Sequence, residues 1–498
     1  MKWRCVDMTS RDCSKSCHPA LGLFVHTLKR QTGITLLATA FLFLICPGIL
    51  WRNIRNSWGN VYEFNEALPM WSMVIFFGAL ILGVILLCFN HGHLFSKKTA
   101  DLYYALPVKR DVLLTIRFGS SVIGAAFAMS VSFAGLSFLA LVEDAAFSEL
   151  CQLYFLTFLQ LLLCLSAVLI FVVNAGSIFN FLFSAMVVCV GIPVMCLIGF
   201  YWYYDQAYGV VSEGTWLQYT SPFGYAVCQF ALFGESNGFT PIWVSIAGIL
   251  LFLTISFLLH HYRRTETAGG KYAFSIAALI ITTLASGVGG YLIGLLFSEG
   301  NPGEDGFWFF CVVGAALTAL ASGAIISRGF HRIRKWLLCA AVSVALLVVM
   351  GVTAENRAQK DTAYVPELED IASITLEEGY NHPKVVFTSD FERFTELHNR
   401  MIDVYMGTEE CASNQYDTVV PYNALHNDLI ESAIYITYTL KDGKTVQRYY
   451  WVDDAIGLSL MLDIMQTDTY AQSFVLEGKE ETELYIYGSE LNSDVLDG

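Results

Sequence analysis

Nine apolar runs constrain this chain more than any other feature. They cover residues 34–51, 68–88, 118–141, 150–173, 181–201, 243–261, 272–297, 307–326 and 336–352. Each is close to the ~20 residues that a helix needs to cross a bilayer. Backbone groups in hydrocarbon must satisfy one another, so each run is expected to be a helix. The expected fold class is a polytopic all-α membrane bundle of about nine transmembrane helices with the N-terminus inside, followed by a small extracytoplasmic α+β domain. A composition 55% hydrophobic and only 15% charged agrees.

Charge divides the chain into two solvents. Residues 354–498 carry 9 basic and 28 acidic side chains, although the net charge of the whole chain is only −15. Such an acidic tail gives no case for nucleic-acid binding, which calls for clustered basic charge. Elsewhere the basic residues mark sides. Lys97–Arg110, Arg263 with Arg264 and Lys271, and Arg328 with Arg332, Arg334 and Lys335 lie in alternate loops. By the positive-inside rule these loops, with the N-terminus, are cytoplasmic. Acidic loops at Glu143/Asp144, Asp205/Glu213/Glu235 and Glu299/Glu304/Asp305 fall outside. Arg52 and Arg55 are the exception, offset by Glu63 and Glu66. Nine crossings then carry the acidic tail out of the cytoplasm.

Four regions follow: 1–33, a cytoplasmic N-terminus with an interfacial amphipathic helix over 20–33; 34–265, a six-helix core; 266–353, three additional spans; and 354–498, the exported domain. That domain reads as two strand–strand–helix units. Strands are expected over 371–376, 384–388, 433–440 and 445–452, and a last one over 483–487. Asp442-Gly443 supplies a hairpin turn. Helices are expected after Ser389, with Phe391, Phe394, His398, Met401 and Tyr405 on one face, and after Asp453 or Asp454.

Chemical motifs are scarce. GxxxxGK[ST] and HExxH do not occur, and no catalytic residue is assigned. Cys5, Cys13, Cys17 and His18 fit no standard zinc spacing, and no metal or cofactor is assigned. His91 and His93 read as an interfacial pair and His398 as a domain-core histidine. The outer loop 201–241 is rich in aromatics, which suits either short helices dipping into the outer leaflet or an aromatic belt. Asn174 and Asn180 at a tight connection receive no role. The near absence of charge inside the spans argues against a secondary carrier.

The loop 91–117 stands apart. It sets Leu102, Tyr103, Tyr104, Leu106 and Val108 among Lys97, Lys98, Asp101, Lys109, Arg110 and Asp111, broken by Pro107. Such a mixture suits a short amphipathic element that lies on the membrane or enters a partner's groove. A solvated loop that only sets topology is the plainer alternative.

The order of parts resembles the ABC exporter permeases of the second type: an interfacial N-terminal helix, six spans, a basic loop after the second, and an aromatic outer loop before the sixth. Asp101-Leu102-Tyr103-Tyr104-Ala105-Leu106-Pro107-Val108-Lys109-Arg110 is similar to the family's loop pattern, and Tyr219-Thr220-Ser221-Pro222 to its Ser-Pro stretch. The last three spans and the tail resemble a Gram-positive subgroup whose permeases end in an outside domain of unknown function. The resemblance implies a permease subunit in the cell membrane without ATP hydrolysis of its own. Its partners would be a separate cytoplasmic ABC ATPase, a second permease copy and the lipid bilayer. ATPase coupling would fall to Asp101, Tyr103, Tyr104, Leu106, Pro107, Val108, Lys109 and Arg110. The alternative function is a membrane sensor whose outside domain binds a ligand.

Overall fold

In the computed structural model, residues 19–378 are described apart from 57–60, 106–107, 143–146, 212–213, 232, 234–241, 271, 299–305, 328 and 331. Beyond them 385–389, most of 391–402 and 432–452 are described. Cys5, Cys13, Cys17, His18, Leu106, Pro107, Met401 and Tyr405 lie outside the described residues, as do the helix after Asp454 and the strand at 483–487. The chain forms two units, Met1–Ile198 with Thr215–Val348, and Gly199–Gly214 with Val349–Gly498.

Among the described residues nine helices are long and apolar enough to cross a membrane. They are α1 (Pro19–Asn56), α2 (Val61–Asn90), α4 (Arg110–Val142), α5 (Phe147–Asn174), α6 (Ile178–Gln206), α8 (Ile242–Tyr262), α9 (Ser275–Phe297), α10 (Phe307–Ser327) and α11 (Ile333–Thr362). Two shorter helices, α3 (Lys97–Tyr104) and α7 (Pro222–Ala231), lie between them. The helix expected over 20–33 and the span expected over 34–51 are one continuous helix, α1. Its buried stripe explains the continuity: Thr27, Gln31, Thr35, Thr39, Leu42, Cys46 and Leu50 recur every three or four residues. The stripe is polar in its first half and finds polar partners there. Gln31 donates to Ser120 O at 2.6 Å and accepts from Asn90, whose amide also reaches Ser121 at 2.9 Å.

The loop expected over 91–117 is shorter than its composition suggests. Arg110–Arg117 are the first two turns of α4, with Asp111 favourably placed at the positive helix end. Leu113, Leu114 and Arg117 are buried, so packing draws these charges into a helix.

The aromatic outer loop holds a 3-10 turn (Thr215–Thr220) and α7. Ser221 caps α7, accepting from Phe223 N at 3.2 Å, and Pro222 takes the first helical position, where its missing N–H costs nothing. The Ser-Pro pair is thus a helix start. α7 buries Tyr225, Ala226, Gln229 and Phe230, with Phe230 against Phe76 of α2.

α9 and α10 meet through small residues. A methyl at Gly290 would lie 2.9 Å from both Ala315 Cβ and Cys311 O, so only glycine permits the approach. Ser286 donates to Ala315 O at 2.9 Å and pairs with Ser343 of α11.

In the second unit, β1 (Ile371–Glu378), β2 (Val385–Phe387), β3 (Ser432–Leu440) and β4 (Thr445–Val452) form an antiparallel sheet in the order β2-β1-β3-β4. Gly443 turns the β3–β4 hairpin at φ +85°, a conformation that favours glycine. Ile374, Leu376, Phe387, Ile436 and Tyr438 are buried, as are Phe394, His398 and Ile402 of the helical residues between 391 and 402. Residues 199–214 join this unit: Tyr449 N donates to Gly209 O at 2.9 Å, and Tyr203 to Asp361 at 2.8 Å. Arg448, 2% exposed, donates to Asp361 O and Tyr364 O, both at 2.6 Å, and so caps the end of α11.

His398 gives this unit a pH dependence. Its Nδ1 lies 2.8 Å from the Tyr438 hydroxyl, and burial, then Arg448, lowers its pKa to about 3. An unfolded histidine titrates near 6.5, so acid protonates the unfolded state first. The stability that this neutral histidine supplies is complete above pH 6.5 and is lost as the pH falls towards 3. About 2 kcal/mol is expected to go by about pH 5. Proteolysis of this unit in the detergent-solubilised full chain should accelerate between neutral pH and pH 5. His398→Gln should lose that acceleration; an identical acid response in both proteins would disprove the assignment.

A clamped amphipathic helix as candidate functional site

α3 has eight residues, too few to hold a helix alone in water. Its stability comes from one face. Ala100, Tyr103 and Tyr104 share that face by helical spacing; Ala100 is fully covered and the tyrosines half-covered. Lys98, Asp101, Leu102 and Ala105 form the opposite face and are all exposed, Leu102 by 67%.

Arginines clamp the covered face. The Arg117 guanidinium lies 4.0 Å above the Tyr103 ring, and that of Arg110 4.5 Å above Tyr104. Arg117 also donates to Asn90 O and to His93 Nδ1, the latter at 2.7 Å. An arginine can only donate, so His93 Nδ1 must accept, and His93 is neutral with its proton on Nε2. Burial, then the Arg117 charge, holds its pKa well below the usual histidine range. His91 carries the other tautomer, because its Nδ1 faces the Leu87 carbonyl at 3.0 Å. Burial, then Arg117, lowers its pKa to about 3. The His93 ring also meets those of Tyr103 and Tyr104, at 5.3 and 6.1 Å. Burial raises the pKa of Tyr104.

Arg117 and Arg263 are 3% and 4% exposed, and their hydrogen bonds explain how such buried charges are tolerated. Helix C-termini carry unpaired carbonyls and partial negative charge. Arg30 donates to Phe89 O and Arg117 to Asn90 O, both at the end of α2. Arg263 donates to Val173 O at the end of α5 and to Leu94 O beside α3, the latter at 2.8 Å. Burial lowers the pKa of Arg263 to about 10, which leaves it charged at neutral pH. Each arginine completes the end of a neighbouring helix, and together they gather the ends of α2, α5 and α8 and the start of α4 beneath α3.

Of the coupling residues expected from sequence, Asp101 is on the exposed face of α3, and Tyr103 and Tyr104 are on the clamped face. Val108 is half-buried, and Lys109 and Arg110 are exposed at the start of α4. The buried supports, Arg117, Arg263 and His93, were not singled out for this role. Their place at span ends was the available signal: Arg117 stands one residue before the run 118–141 and Arg263 two residues beyond the run 243–261. His91 and His93 are buried here, and no group of three His, Cys, Asp or Glu among the described residues could hold a metal.

The class that follows from the nine apolar helices is a multi-pass membrane protein. No family model, no curated protein and no solved structure matches the chain.

Proposed function

We propose that the chain is the membrane-spanning permease subunit of an ATP-driven ABC transporter, acting as an exporter through a separate cytoplasmic ATPase that docks on α3. The observation that carries this reading is the two-faced α3: one face locked by Arg117 and Arg110, the other leaving Lys98, Asp101 and Leu102 exposed. The resemblance of the loop 101–110 and of the order of spans supports it. A rigid seat lets force on α3 reach four helix ends at once, and a coupled transition requires that the partner favour one arrangement of those helices. The basic residues around α3 are those expected on the cytoplasmic side, and in this reading nine crossings carry the acidic tail out of the cytoplasm. In this reading two copies of the chain frame the transport path.

The test is recovery of partners with the detergent-solubilised full-length chain. A stoichiometric ATPase whose hydrolysis rises on reconstitution is the expected result. Recovery of a kinase alone would replace this reading with the sensor.

A further inference from the structure

The connection from α8 to α9 does more than join two spans. Arg263 ties its start to Val173 O and Leu94 O. At Gly269, with φ +73°, the backbone lies against the start of α3: a methyl there would sit 3.6 Å from Lys97 N and 3.7 Å from Phe95 O. The same segment presses on the α5–α6 turn, where a methyl at Gly176 would lie 2.6 Å from Gly270 O and 2.9 Å from Thr267 O. Tyr272 bridges to Ala175, and its hydroxyl lies 2.7 Å from Ser184 Oγ and 3.2 Å from Asn180 O. Ala273 N donates to Asn174 O at 2.7 Å, and α9 begins two residues later. Asn174 and Asn180 act here through their backbone carbonyls.

We infer that residues 263–270 and 272–274 are a strap that transmits displacement of α3 to α9, making the three additional helices α9–α11 part of the coupling platform. The links are hydrogen bonds and van der Waals approaches of the backbone, so displacement of α3 loosens the strap. The use of this link in transport rests on the docking role proposed for α3; the link itself does not, and it can be tested without the ATPase.

Hydrogen exchange of the full-length chain in lipid nanodiscs reads it directly. Tyr103→Ala removes the ring beneath Arg117 and should speed exchange about tenfold in α3 and, with it, in the strap and the first turn of α9, if about 1.4 kcal/mol of packing is lost. Gly176→Ala pushes the strap from the other side and should speed exchange in α3, since coupling is reciprocal. Leu102→Asp, on the exposed face, should alter neither segment. Faster exchange in α3 with an unchanged strap overturns the inference. So does faster exchange spread evenly through α5 and α10, or an unmoved α3 in Gly176→Ala. Loss of ATPase docking with the strap link intact would instead count against the proposed function alone.

Discussion

On the docking role proposed for α3, Leu102→Asp is expected to abolish recovery of the proposed ATPase while leaving the chain normally inserted in the membrane. Leu102 is 67% exposed on a helix whose other face is locked, so the substitution leaves the protein's own packing untouched. Burying a leucine against a partner contributes roughly 1.5–3 kcal/mol. That is one to two orders of magnitude in affinity at about 1.4 kcal/mol per tenfold. A carboxylate would weaken binding further, because it must be desolvated without a partner. Lys98→Ala, a turn away, should cost about 1 kcal/mol or less, as exposed charges do. Co-purification of the ATPase at equal membrane levels compares the two. If both variants retain it equally, α3 is not the docking helix, and the loop reverts to a topology signal. Leu106, one of the coupling residues that the resemblance implies, lies outside the described residues.

The largest effect on stability is expected at Gly323→Leu. Gly323 of α10 is buried against the indole of Trp336, itself 5% exposed, and any side chain at 323 would overlap that ring. Trp336, Ala315, Ala319 and Ala340 form one buried cluster between α10 and α11, so the indole has no free space to enter. Overpacking of this kind costs about 3 kcal/mol. In a membrane, helix association depends on such close fit, because lipid solvates leucine as well as protein does. The detergent-solubilised variant should melt well below the parent and aggregate on size exclusion. Gly33→Ala in α1, with no atom within 4 Å of the added methyl, is the matched control and should not lower the melting point. Equal loss in both would show that glycine itself, rather than the fit to Trp336, sets stability.

Hydropathy alone determined the nine helices, because a backbone in hydrocarbon has no alternative to satisfying itself. The strands at 371–378, 385–387, 432–440 and 445–452 and the Asp442-Gly443 turn were equally legible, since alternation and turn chemistry are local. The loop 91–117 was legible as an amphipathic element, and its tyrosines and charges were visible as types. Which face each would take was not. Tertiary packing decided that Tyr103 and Tyr104 support α3 while Leu102 is exposed, because the fold back of α4 is what sets Arg110 and Arg117 against the two rings. Arg263 reaches Leu94 across 169 residues and Val173 across 90, a pairing that no spacing rule encodes. The carbonyls it satisfies are backbone groups, which every residue carries. Composition therefore could not mark Asn174 or Asn180 as partners, nor Gly176 as the glycine that lets the strap lie close. Local chemistry sets where helices, strands and turns form, whereas the clamp and the strap exist only once the helix ends have been brought together.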